Sequence, residues 1–132
     1  MTKRAVGTFE VSVKPLDSAD EAGASSLGRM SLDKQFSGDL CGVGKGEMLT
    51  AMAPTKGSGA YVAIERVTGT LHGRNGGFVF QHAGTMQGAA QQMTISVVPD
   101  SGVGELAGIT GTFDITIAEG KHSYVFDYTM PA

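Results

Sequence analysis

Polar and apolar residues alternate along most of this chain. Between residues 5 and 13, Ala5, Gly7, Phe9, Val11 and Val13 take one face and Val6, Thr8, Glu10 and Ser12 the other. That period of two marks a half-buried strand. In "LGRMSLDKQFSG", Met30, Leu32 and Phe36 share a face, and "GVGKGEMLTAM" (42–52) reads as a strand with small residues on one side. "PLDSADEAGASS" (15–26) is polar and small and predicts a loop or one helical turn, and "APTKGSG" predicts a second loop. "QMTISVVP" is a further strand. "GTFDITIAEGKHSYVFDYTM" closes the chain as two β-type runs around Glu119-Gly120, a tight hairpin. The count is about eight strands, and no segment of about a dozen residues keeps helical spacing. An all-β fold follows, a sandwich or a barrel.

The clearest segment is "AYVAIERVTGTLHGRNGGFVFQHAGTM" (60–86), in which two β-type runs flank Asn75-Gly76, a strong hairpin signal. With Asn75-Gly76 as the two-residue loop, Leu71 faces Phe80, Gly69 faces His82 and Glu65 faces Met86. One face then holds Tyr61, Ala63, Glu65, Val67, Leu71, Phe78, Phe80, His82 and Met86. It is the better core candidate, and it carries two ionisable groups, Glu65 and His82, inward. Buried ionisable groups are informative exceptions and point to sites. In this register the two lie four residues apart along the ladder, roughly 13 Å at ~3.3 Å per residue, so they form no dyad.

Composition narrows the class. A length of 132 residues suits one domain spanning 1–132 with a core that needs no staples. The 20 glycines follow no tripeptide period, which excludes collagen, and each would cost a helix interior about 1 kcal/mol. A net charge of −3 with scattered Lys and Arg leaves no electrostatic footprint for nucleic acid. Cys41 stands alone, so neither a disulfide framework nor a cysteine zinc cluster is expected. The start, "MTKRAVGTFEVSV", lacks the apolar core of a signal peptide, and no stretch approaches the ~18 apolar residues of a membrane span. A cytoplasmic setting without a membrane partner is the expectation.

Several motifs invite a chemical reading. In "PDSGVGELAGITGTFDI" (99–115), Gly102, Gly104 and Ala107 fit the glycine pattern of a dinucleotide loop. That pattern needs a helix starting inside it, and Gly108, Ile109, Thr110, Gly111 and Thr112 argue against one. A turn followed by a bare strand is expected instead. "CGVGKGE" lacks the spacing of a phosphate loop and reads as a glycine-rich strand. His72, His82 and His122 show no metal-ligand spacing, so no metal or cofactor is expected. His122, Tyr124, Phe126, Tyr128 and Met130 form one face of the last strand, either core or a ligand or subunit wall.

At these residues the chain resembles a bacterial family of small proteins of unknown function. The matching positions are Tyr61, Glu65, Gly69, Gly73, Arg74, Gly77, Phe78 and His82, then Ser101, Gly102, Gly104, Glu105, Leu106, Gly108 and Gly111. That family is similar in fold to allene oxide cyclase, which binds an oxidised fatty acid, and to the dirigent proteins, which steer radical coupling of phenolics. The resemblance implies an eight-stranded antiparallel β-barrel that associates into homo-oligomers, dimers or trimers, and it carries no assigned activity. Neither catalytic set can be matched residue by residue.

Two functions are therefore expected. In the first, the barrel binds an apolar or amphipathic small molecule, walled by Phe78, Phe80, Met86, Tyr124 and Phe126 and oriented by Tyr61, Glu65 and His82. A desolvated Glu65 with a raised pKa would then be the candidate general base of an isomerase- or cyclase-like reaction. In the second, the barrel is filled and the protein is a non-catalytic interaction protein acting through its oligomer surfaces. A cavity of ~300 Å³ or more reaching Glu65 would favour the first. A packed interior with Glu65 paired to a basic side chain would favour the second.

Overall fold

Residues that alternate between oil and water cannot be satisfied by a flat two-sided sheet in solution, and this chain resolves the problem by closing the sheet on itself. The computed structural model describes residues 2–16 and 27–131. Its strands are β1 (Lys3–Pro15), β2 (Leu27–Gly38), β3 (Leu40–Met52), β4 (Ser58–Leu71), β5 (Arg74–Gln87), β6 (Ala90–Val97), β7 (Val103–Gly104), β8 (Thr110–Ala118) and β9 (Lys121–Thr129). Eight of them form a closed antiparallel β-barrel in the order β1-β2-β3-β4-β5-β6-β8-β9, with β9 returning to β1. The two-residue β7 lies outside that count, on the edge of β5 at Gly76 and Gly77. Of the expected loop at 15–26, Pro15 ends β1, and residues 17–26 lie outside the described residues.

The wall is uneven. Most neighbouring strands pair along nearly their whole length, whereas β6 meets β8 at one residue pair, Ser96 opposite Thr112. On the other flank of the β8–β9 hairpin, β9 pairs with β1 from Lys3 opposite Tyr128 to Phe9 opposite His122. Beyond Phe9, β1 runs on to Pro15 paired with β2 alone.

Inward-facing residues form a continuous core that includes Phe9, Phe36, Leu40, Leu71, Phe78, Phe80, Phe113, Tyr124, Phe126 and Tyr128. Ring centroids lie 4.8 Å apart for Phe80–Phe113 and 5.2 Å for Phe113–Tyr124. The segment 98–109 folds across the barrel end nearest these rings and inserts Leu106 and Ile109, each 1% exposed. The glycine motif expected to make a turn and a strand is thus a plug. Its polar contacts hold it to β5: Ser101 Oγ accepts the Val79 N–H at 3.0 Å, and Glu105 accepts the Asn75 N–H at 2.9 Å.

The central hairpin differs from the expected register. The turn is His72-Gly73, with Leu71 opposite Arg74, Glu65 opposite Phe80 and Ala63 opposite His82. His72 (φ 47°) and Gly73 (φ 79°) both adopt the left-handed conformation that a twist-matched two-residue turn requires. Asn75-Gly76 is drawn into β5 because the plug needs it there. The Asn75 carbonyl accepts the Glu105 N–H, and a Cβ on Gly76 would lie 2.3 Å from the Val103 oxygen. The hairpin expected at Glu119-Gly120 is present, with φ of 52° and 77° and Ala118 opposite Lys121.

Candidate functional site

Strand period alone decides which side chains enter the barrel. On β2 it sends Leu32, Lys34 and Phe36 inward, on β4 Ala63, Glu65 and Val67, and on β5 Phe78, Phe80 and His82. Three of these nine are ionisable. Lys34 is 5% exposed, Glu65 0% and His82 3%, the described residues' only buried charged or polar side chains. They meet at mid-height. Lys34 Nζ lies 3.1 Å and His82 Nε2 2.9 Å from the same oxygen, Glu65 Oε1.

The backbone makes room for this belt. Gly44 stands opposite Lys34 on one side and Val67 on the other. A Cβ there would lie 2.0 Å from Glu65 Oε2 and 3.0 Å from the Phe36 ring. The bare strand therefore lets the Glu65 side chain cross β3 to reach Lys34. The ammonium is flanked by the rings of Phe9 and Phe36, at 4.9 and 5.8 Å, which adds cation–π attraction to the ion pair. Among the described residues, Glu65 Oε2 has no hydrogen-bond partner.

Electrostatics set the protonation state of the carboxyl. Burial pushes the Glu65 pKa up. The hydrogen bond from His82 and the Lys34 charge outweigh it and hold the group below its ordinary value. Glu65 is thus a carboxylate, and His82 Nε2–H donates to it. This corrects two expectations. Glu65 and His82 are in direct contact rather than roughly 13 Å apart, because the true turn shifts the register. The Glu65 pKa is lowered rather than raised, because two partners compensate its desolvation. A carboxylate so stabilised is a weaker base than the expected raised pKa would have made it.

The other candidate residues separate into two groups. Tyr61 stays near the belt: its ring centroid lies 6.4 Å from His82, and burial followed by the Glu65 charge raises its pKa. Phe78, Phe80 and Tyr124 belong instead to the filled aromatic half. The Tyr124 hydroxyl accepts the Leu40 N–H at 2.9 Å and donates to the Ser37 or Leu40 carbonyl at 3.0 Å, a structural clamp on the β2–β3 corner. Met86 is half-buried, Phe126 is in the core and Cys41 is exposed. Four surface cavities of about 640, 430, 270 and 240 Å³ are lined by described residues, and Glu65 lines none of them. Lys34 is the belt residue that sequence reasoning missed, although alternation with Leu32 and Phe36 places it on the inner face.

Comparisons with known proteins agree on the architecture. A family model described as a protein of unknown function, DUF3224, matches residues 5–128. The crystal structure of a protein with unknown function from that family, from Shewanella oneidensis, superposes with a TM-score of 0.92. It is 43% identical over 100% of both chains. No curated protein matches.

Proposed function

We propose, from the premise that the chain belongs to the DUF3224 family of proteins of unknown function, that it is a non-catalytic interaction protein whose barrel is filled and electrically neutralised inside and which works through its outer surface. The observation that carries this reading is the Lys34–Glu65 pair, 4% and 0% exposed, with the ammonium beside the Phe9 and Phe36 rings. A group meant to meet a substrate would be left accessible, and this one is spent on internal partners. The outer wall has apolar surface to offer: Leu49 and Val62 stand opposite each other on β3 and β4 at 57% and 53% exposure, beside Ile64 at 56%.

One observation favours the small-molecule reading. Glu65 Oε2 is buried without a donor, and the wall beyond the belt is made of small or half-buried residues, Gly46, Ala63, Gly84 and Tyr61. A neutral amphipathic ligand with a hydroxyl or amide would supply that donor. A thermal-shift panel of fatty acids and phenolics decides between the two, because a ligand at 100 times its Kd stabilises by about 2.7 kcal/mol. The expected result is no saturable shift. A saturable shift that Tyr61→Ala abolishes would replace the first reading with the second.

A further inference from the structure

The outer half of β1 is a strand edge with hydrogen-bonding capacity and, among the described residues, no partner on its β9 side. The Val6 carbonyl accepts the Asp39 N–H, the Val6 N–H donates to the Asp39 carboxylate, and the Leu16 N–H donates to the Arg29 carbonyl. Even-numbered residues of β1 therefore direct their backbone groups toward β2, and odd-numbered ones toward β9. Since β9 stops pairing at Phe9, the N–H and C=O groups of Val11 and Val13 face outward and are unpaired among the described residues. A cavity of about 640 Å³, lined by Glu10, Val11 and the Glu119–His122 turn among others, leaves space beside that edge.

The sequence of this edge, Glu10-Val11-Ser12-Val13-Lys14, is complementary to itself when reversed. We propose that a second copy of this chain docks here, β1 against β1, antiparallel about a two-fold axis at Ser12. Val11 then exchanges backbone hydrogen bonds with the partner copy's Val13 and the reverse, about four bonds in all. Ser12 meets its own copy at the non-hydrogen-bonded pair on the axis. On the outer face, Glu10 stands opposite Lys14 at both ends. Both side chains are exposed, and neither enters an ion pair among the described residues. On the inner face, the second strand covers Val13, which is 38% exposed. Pro15 ends the ladder on each side, because it has no N–H to give. Lys14 and Pro15 would ordinarily discourage edge pairing. The opposing Glu10 converts the lysine from a deterrent into a register mark. This inference is independent of what the barrel interior does.

Sedimentation velocity from low micromolar to submillimolar concentration tests it, with circular dichroism confirming the fold of each variant. The wild type is expected to dimerise. Glu10→Lys sets like charges opposite each other and is expected to raise the dimer Kd by about tenfold or more, and Glu10→Lys with Lys14→Glu to restore it. Ser12→Cys in a Cys41→Ser background is expected to form an intermolecular disulfide on mild oxidation, since only this register brings residue 12 onto itself. A wild type that stays monomeric throughout overturns the proposal. So does a dimer that is indifferent to Glu10→Lys and that Ser12→Cys fails to cross-link.

Discussion

Replacing Glu65 with Gln keeps the shape of the side chain and removes its charge, so it isolates the ion pair from packing. The Lys34 ammonium would be left 4% exposed with no carboxylate. Breaking a buried pair from one side costs about 3–5 kcal/mol. For a chain of this size that is a fall of roughly 10–20 °C in melting temperature. Lys34→Met strands the other charge and is expected to cost a similar amount. The double variant removes both charges and should recover most of the loss, since an apolar replacement of a buried pair is often neutral. The pH dependence carries the same signature. The Glu65 pKa is lower in the folded chain than its ordinary 4.5. The pair's contribution is therefore fully present above about pH 4.5 and lost as pH falls through the folded value. Calorimetric melts from neutral to acid pH should show an acid-side decline that Glu65→Gln lacks. If Glu65→Gln costs under ~1 kcal/mol and the double variant is no better than either single one, the belt is hydrated and the reasoning from burial fails.

Two further substitutions test the geometry. Gly44→Ala places a methyl where the Glu65 carboxylate lies and is expected to cost about 1–3 kcal/mol in urea melts, relieved when Glu65→Ala is added. Tyr124→Phe strands the Leu40 N–H at the β2–β3 corner and should cost about 1–3 kcal/mol, with faster amide exchange at Leu40 than in the wild type.

The faces of the central hairpin are the same in the expected and the observed register, for a physical reason. Asn75-Gly76 would set paired positions to sum to 151, whereas Leu71 opposite Arg74 makes them sum to 145. The difference of six is even, and side chains repeat every two residues, so every residue keeps its face while its neighbours change. Burial of Glu65 and His82 was therefore legible, and their contact was not. The turn is illegible in the sequence because two dipeptides, His72-Gly73 and Asn75-Gly76 on either side of Arg74, could serve. The choice fell to the plug, whose claim on Gly76 comes from residues some thirty positions later. Lys34 is hard to read from sequence for another reason. A lysine at an inward position reads as a break in the pattern, until a partner such as Glu65 is known to stand across from it.

Arg4 and Asp127, joined by a 2.8 Å hydrogen bond across the β1–β9 ladder, are 123 residues apart in the chain. On the ribosome, β1 is made before its closing partner β9. At typical elongation rates of about 5–20 residues per second, β1 waits roughly 6–25 seconds for β9. During that interval the nascent meander β1–β6 is an open sheet with two bare edges, and the β8–β9 hairpin has only Ser96 opposite Thr112 to guide it onto β6. Closure therefore waits for β9, and removing that strand would leave a sheet that recruits other strands instead of its own.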